Sequence, residues 1–494
     1  MRRLLGVITP LVIGLLSAGL VTAEPATAQP ARTADTPPGL SAYYGQRLAW
    51  TPCKGGFQCA KLKVPLDYTK PSGKRIEIAV IKLPAKGGKR LGSVVINFGG
   101  PGGSGVDLLR GTAKVKFTAA LRSRFDLVSF DPRGVGASSP VRCMPTQVAD
   151  WYHSVDDTPD SKAEVKMYNY AQLRLAQACQ ANSGALLPFV GTPNAARDMD
   201  VLRAGLGESR MTYLGFSYGT LLGATYANLF PARVRAMVLD GAEDPTTTAT
   251  EFGAGQQDGF GVAFESFARD CFKHKDCPFK KHTVTAITKQ MRALHDRTEK
   301  APLVNTYDGR QATQAIVYTG LNSLLYDQRS WPALRQALGT AFKGDGTLLL
   351  QYADQYNERG PDATYANMME AHAAIDCLDH PTWRRAVRQA KAISSGKAVA
   401  SACDFWPVRS KTVNRAIHAK GAPPILVVGT LRDPATPYKW AKALASQLSS
   451  GVLLSFDGDG HTAYGTGSAC VNTSVDRYLI TRVPPRDGKM CPKI

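Results

Sequence analysis

The sequence predicts an α/β chain, a mostly parallel central sheet with a largely helical cap insertion. Three observations predict it. Short apolar, β-branched runs recur with helical spacing between them, the signature of parallel strands joined by crossover helices. One long stretch, 245–407, keeps helical spacing and sustains no strand alternation. Between a strand pattern and a helix pattern stands Gly215-Phe216-Ser217-Tyr218-Gly219, a glycine-flanked serine on what must be a sharp turn.

The chain opens with Arg2-Arg3, an apolar run over 4–20 and small-residue sites at Val21-Thr22-Ala23 and Ala26-Thr27-Ala28. That pattern predicts a signal peptide over 1–28, cleaved near 23 or 28, followed by a Pro/Ala/Thr-rich linker or propeptide over 29–40. The rest divides into a first core part (41–244), the cap (245–407) and a last core part (408–494). No later run approaches the ~18 apolar residues of a spanning helix, so the mature protein is expected to be secreted and extracellular, with no membrane span after signal removal.

Ten cysteines suit an oxidising compartment: Cys53, Cys59, Cys143, Cys179, Cys271, Cys277, Cys377, Cys403, Cys470 and Cys491. There is no C-x-x-C pair, and His274 between Cys271 and Cys277 makes a poor metal site, so disulfides are expected. Sequence does not dictate connectivity; sequential pairing is the simplest expectation. The net charge of +20 invites a nucleic-acid reading. The basic residues are spread along the chain, with only a modest cluster at 273–282, and no nucleic-acid motif accompanies them, so nucleic acid is not an expected partner.

Taken in order, 41–66 reads as irregular and holds the first cysteine pair. Residues 75–83 (RIEIAVIKL) alternate like an edge or meander strand. Residues 93–98 (SVVINF) form a buried strand that runs into Gly99-Gly100-Pro101-Gly102-Gly103-Ser104-Gly105, where backbone N–H groups can approach a ligand closely. Without a following Gly-Lys-Ser/Thr or a G-x-G-x-x-G entering a helix, a phosphate loop is a poor reading. A strand over 125–130 leads to Asp131-Pro132-Arg133-Gly134-Val135-Gly136, and 194–206 is an amphipathic helix with Asn194 as its cap. Strand 211–214, the serine turn, helix 220–230 and strand 234–239 follow. Cap helices are expected over 257–272, 283–295 and 331–342, with the aromatic-rich 364–374 among them. Strand 424–429, helix 438–448, a last strand over 452–456 and a closing helix over 470–480 complete the chain.

Three side chains then fall after parallel strands in the order Ser217, Asp433, His461. That is the order of the α/β-hydrolase nucleophile, acid and base, which makes an α/β-hydrolase fold the expected architecture. Serine becomes a nucleophile when histidine takes its proton, and a buried carboxylate holds the imidazole in the right tautomer. Asp240 also follows a strand and competes with Asp433; the interval of one helix and one strand before His461 favours Asp433. The Tyr218 N–H and the Gly99 and Gly100 backbone are the expected oxyanion donors. The other histidines lack the strand–loop setting. No motif calls for a metal or an organic cofactor.

The glycine loop, DPRGVGASSP, GFSYGT, RDPATP and GDGHTAY together resemble the α/β-hydrolase branch that contains proline iminopeptidases, and more closely the secreted bacterial tripeptidyl aminopeptidases. The resemblance covers nearly all the mature chain, including Ala402-Cys403-Asp404-Phe405-Trp406-Pro407. Asn97-Phe98 departs from it, standing where iminopeptidases carry histidine. The resemblance implies a serine exopeptidase that releases single residues or short peptides, tripeptides foremost, from free N-termini. Recognising the α-ammonium calls for carboxylates facing the cleft: Asp376 first, then Glu243 and Asp244. Arg133 is expected to brace its loop. An esterase or amidase on small acyl substrates is the alternative, since the same triad serves any acyl transfer. A non-catalytic binding protein has no reason to keep all three residues.

Overall fold

The computed structural model describes residues 36–410 and 412–494; the signal segment expected over 1–28 and most of the 29–40 linker lie outside the described residues. Residues 39–494 form one compact unit. The chain begins with a short helix α1 (Ser41–Tyr44) and the strands β1 (Thr51–Cys53) and β2 (Phe57–Pro65). The region expected to be irregular is therefore a hairpin. Its alternation is visible in hindsight: Leu62 and Val64 bury completely while Lys61 and Lys63 face out. β3 (Arg75–Leu83) pairs antiparallel with β2 and, on its other side, with β5 (Phe125–Phe130).

From there the sheet is parallel. β5 lies beside β4 (Gly92–Asn97), then β6 (Met211–Phe216), β7 (Val234–Asp240), β8 (Ile425–Arg432), β9 (Gly451–Asp459) and β10 (Lys489–Cys491), giving the order β1-β2-β3-β5-β4-β6-β7-β8-β9-β10. β10 corrects the expectation that 452–456 is the last strand. It is short and pairs with β9, and Cys470–Cys491 ties it to the closing helix. The parallel strands β4 to β8 are buried on both faces, and apolar clusters fill both sides of the sheet.

Between strands run α2 (Gly105–Lys116), α3 (Ala119–Arg124), α4 (Thr146–Ser154), α5 (Lys162–Ser183), α6 (Thr192–Gly205) and α7 (Tyr218–Leu229). α4 and α5 are a helical excursion that the sequence reading passed over. α6 starts two residues earlier than expected. Gly191 is its N-cap and Pro193 sits in its first turn, so Asn194 is not the cap; its side-chain amide donates to Phe189 O instead.

After β7 the chain leaves the sheet for α8 (Ala249–Cys271), α9 (Val284–Lys300), α10 (Gln314–Leu325), α11 (Trp331–Ala341), α12 (Thr347–Tyr356), α13 (Met368–Asp379) and α14 (Trp383–Ser394). Phe267, Trp331, Leu334 and Leu338 anchor a separate apolar core for this insertion. Within 364–374 only the residues from Met368 on are helical. β8, α15 (Tyr438–Gln447), β9 and α16 (Ala469–Thr481) return the chain to the sheet. The ten cysteines pair as 53–59, 143–179, 271–277, 377–403 and 470–491. No helix of the described residues is long and apolar enough to cross a membrane.

Candidate active site

Register brings the chemistry together. Phe216 at the end of β6 lies beside Asp240 at the end of β7, which lies beside Val428 of β8. Side chains just past these ends therefore converge on one edge of the sheet. Ser217 takes the turn with φ 55° and ψ −129°, a left-handed conformation unusual for a residue with a Cβ. Its N–H is held by Asp240 O at 2.9 Å, and its carbonyl accepts both the N–H and the hydroxyl of Thr220 at 2.7 Å. The tightness depends on missing side chains. A Cβ on Gly215 would meet Gly219 O at 2.3 Å, and one on Gly219 would meet Asn97 O at 2.8 Å.

Asp433 is buried and satisfied on both oxygens. Oδ1 accepts the N–H groups of Ala435 and Thr436 at 3.0 and 2.8 Å; Oδ2 accepts the N–H of Thr462 at 3.1 Å. The Nδ1 of His461 lies 2.8 Å from Oδ1 and 3.0 Å from Oδ2, an arrangement that directs the Nδ1 proton toward Asp433 and leaves Nε2 free to accept one. The Thr436 hydroxyl also lies 3.3 Å from that Nδ1, a contact the sequence reading missed although Thr436 stands in the RDPATP motif. The rival Asp240 does other work: it accepts the N–H groups of Ala463 at 3.0 Å and Tyr464 at 2.7 Å, fixing the loop behind His461. Burial pushes its carboxyl up to about 6.

The glycine loop lies against the serine turn. A Cβ on Gly99 would stand 2.8 Å from Ser217 Cβ, so only glycine fits there. The Gly99 N–H is not a free oxyanion donor, which corrects the expectation. It donates to Asn97 Oδ1 at 3.0 Å, so the residue that departs from the iminopeptidase pattern holds the loop. The Gly100 and Tyr218 amides stand beside the cavity without that engagement. Arg133 does not reach the cavity. Fully buried, it grips Asp198 through Nε and Nη2 at 2.7 and 2.6 Å and donates to the carbonyls of Pro65, Leu66 and Phe189, bracing its loop. Asn367, also unforeseen, ties that loop to the cap by accepting from Gly136 N–H and donating to Gly134 O and Val141 O.

Ser217 and His461 open into one cavity of about 490 Å³, roofed by the cap. Tyr326, just after α10, packs edge-on against the His461 ring with centroids 5.4 Å apart, and its carbonyl accepts the His461 N–H at 2.7 Å. Phe252, Phe260, Tyr356 and Met368 make much of the wall apolar. Three carboxylates interrupt it: Glu243, Asp376 and Asp379. Burial, then the charges of Asp376 and Asp379, push Glu243 up to about 8. Burial outweighs the hydrogen bonds from Thr192 and raises Asp379 to about 7. Asp379 is anchored by the Thr192 N–H at 3.1 Å and by its hydroxyl, whereas the Glu243 and Asp376 carboxylates form no ion pair among the described residues. Asp379 was overlooked; its signal was the i, i+3 spacing from Asp376, which puts both on one helix face. Asp244 is a correction. Its Oδ1 is consumed by Thr246 N–H, the Thr246 hydroxyl and Gln447 Nε2, outside the cavity.

An elbow serine, a histidine oriented by a buried aspartate and a sheet of this order define a serine hydrolase of the α/β-hydrolase class. Residues 390–491 match the family described as TAP-like protein. The chain is 37% identical over 492 residues to serine protease Hip1 of Mycobacterium tuberculosis, covering 90% of this chain and 91% of that one. It is 35% identical to carboxylesterase B of Mycobacterium tuberculosis, covering 88% and 86%. It is 33% identical to tripeptidyl aminopeptidase of Streptomyces lividans, covering 88% and 84%. The chain belongs to this TAP-like family of α/β-hydrolases.

Proposed function

We propose that this protein is an exported serine aminopeptidase that releases short peptides, tripeptides foremost, from free N-termini. The observation that carries the reading is the pair of unpaired carboxylates, Glu243 and Asp376, in the same cavity as Ser217 and His461. In a largely apolar pocket an ammonium group is the partner such acids favour, and it fixes how far along the substrate the scissile carbonyl lies. A relative named tripeptidyl aminopeptidase supports the length. Export is supported by the signal-like N-terminus and the five disulfides.

Ser217 Oγ attacks the carbonyl while His461 Nε2 takes its proton, and Asp433 stabilises the imidazolium through Nδ1–H. The Tyr218 and Gly100 N–H groups receive the oxyanion. The protonated His461 then gives its proton to the leaving amine, and water repeats the sequence on the acyl-enzyme.

The apolar wall, and a relative named carboxylesterase B, favour a second reading: an esterase or amidase on small acyl groups. Matched chromogenic substrates separate the two. One-, two- and three-residue peptides are offered with a free or an acetylated N-terminus, beside a simple ester. Strong preference for the free amine with an optimum at three residues is expected; indifference to acetylation with fast ester turnover establishes the esterase.

A further inference from the structure

Far from Ser217 in sequence, the loop after α4, the first turn of α5 and the end of α9 bring three acids together. One oxygen each from Asp156, Glu164 and Glu299 lie within 4.8 Å of one another. Calcium binds oxygens at about 2.3–2.6 Å, so two ligands on opposite sides of one ion stand up to about 5 Å apart. Each acid has one oxygen committed. Asp156 Oδ1 accepts the Thr158 N–H at 2.9 Å, Glu164 Oε2 accepts the Ser161 N–H at 2.8 Å, and Glu299 Oε2 accepts from Gln314 Nε2 at 2.7 Å.

Two buried oxygens at this place have no hydrogen-bond partner: Asp156 Oδ2 and Gln314 Oε1. Gln314 is only 4% exposed, and its amide is held against the cluster, with Nε2 also 2.8 Å from Thr158 Oγ1 and from His295 Nε2. Buried acceptors are seldom left unpaired without a ligand to satisfy them. The charge is equally unbalanced. Asp157 and Asp160 adjoin the three acids, and no lysine or arginine pairs with any of the five among the described residues, in a chain with 60 basic and 40 acidic residues.

We infer that Asp156, Glu164 and Glu299, with the Gln314 amide beside them, form a calcium-type cation site that clips the cap to the α4–α5 excursion. Oxygen-only acids of this kind suit a hard cation. Gln314 is the first residue of α10, whose Thr319 and Asn322, followed by Tyr326, line the catalytic cavity. The ion therefore steadies the helix that leads to the catalytic histidine's support.

The test uses the full mature protein, stripped with EGTA and then titrated with CaCl2, read by calorimetric unfolding and by titration calorimetry. Calcium is expected to raise Tm by roughly 3–6 °C at saturation. Half of the effect is expected at roughly 0.1–1 mM, the range of extracellular sites. Glu299→Gln and Asp156→Asn should each abolish the rise, and each should lift the Tm of the stripped protein by relieving repulsion. No rise in the stripped wild type, or a rise that survives in either folded variant, overturns the assignment.

Discussion

The carboxylate of Asp240 accepts the N–H of Tyr464 at 2.7 Å, three residues beyond His461. Asp433, on the neighbouring strand end, takes the His461 ring itself. Two acids that look alike in sequence thus take different partners, one the backbone behind His461 and the other its imidazole ring. Asp433→Asn should lower kcat by about 10⁴ through loss of the correct tautomer, far beyond any fall in Tm from the three backbone N–H groups it also holds. Asp240→Asn should lower Tm with a far smaller effect on kcat, because a buried acid holding two backbone N–H groups is replaced by a group with an ill-fitting donor. Kinetics and thermal melts on both variants check the division.

Ser217→Ala should lower kcat by about 10⁶ and leave the fold intact, since the strained turn is held by Asp240 O and Thr220 and not by the hydroxyl. Hydrolysis within a hundredfold of wild type would place the nucleophile elsewhere.

Gly100→Ala should cost roughly 10²–10³ in kcat. The backbone has φ 112°, and a Cβ would stand 2.8 Å from Gly102 N, so the loop must shift and carry its N–H away from the oxyanion. A fall in kcat with KM nearly constant is the expected pattern; a change confined to KM would remove Gly100 from that role.

Asp376→Asn should lower kcat/KM on a free-amine tripeptide by roughly a hundredfold, the cost of removing a charged partner from a desolvated site, and Glu243→Gln should do so only near and above pH 8, where its carboxyl ionises. The acetylated peptide and the ester should change by less than about threefold on the same reasoning. Asp244→Asn should leave the ratio of free to acetylated rates untouched, because Asp244 lies outside the cavity and holds its own turn and Gln447.

Stability should fall as pH rises from about 4.5 to about 8, the ordinary and the buried values of Glu243. Across that window the folded protein keeps a proton that the unfolded chain has released, so the native state binds more protons and loses ground as they are withdrawn. Asp379 adds the same sign up to about 7. Glu243→Gln should reduce the slope and raise Tm at pH 8.5 by roughly 3 °C or more. Equal melting profiles in the two proteins would mean that the site does not hold Glu243 protonated.

Much of the architecture was legible along the chain because its signals are local. A buried parallel strand is a run of apolar residues whatever surrounds it, and β4 to β9 announced themselves in that way. The glycine-flanked Ser217 was legible for the same reason: Gly215 and Gly219, two residues to either side, must lack side chains for the turn to close. What hid was weak in local pattern. β10 is three residues long and exists through its pairing with β9, and β2 alternates only over its second half.

The sequence by itself determined the run of parallel strands β4 to β9 and the helical insertion between β7 and β8, the elbow, and the candidate set Ser217, Asp433, His461. Each depends on the chain's immediate chemistry. Only the tertiary structure decided among equals. Asp433 faces the histidine and Asp240 faces a backbone; Glu243 and Asp376 share the serine's cavity while Asp244 is spent on a turn; Gly99 surrenders its N–H to Asn97. These choices are made by distance and burial between residues far apart in the chain, and a carboxylate's role follows from which donor stands within about 3 Å of it.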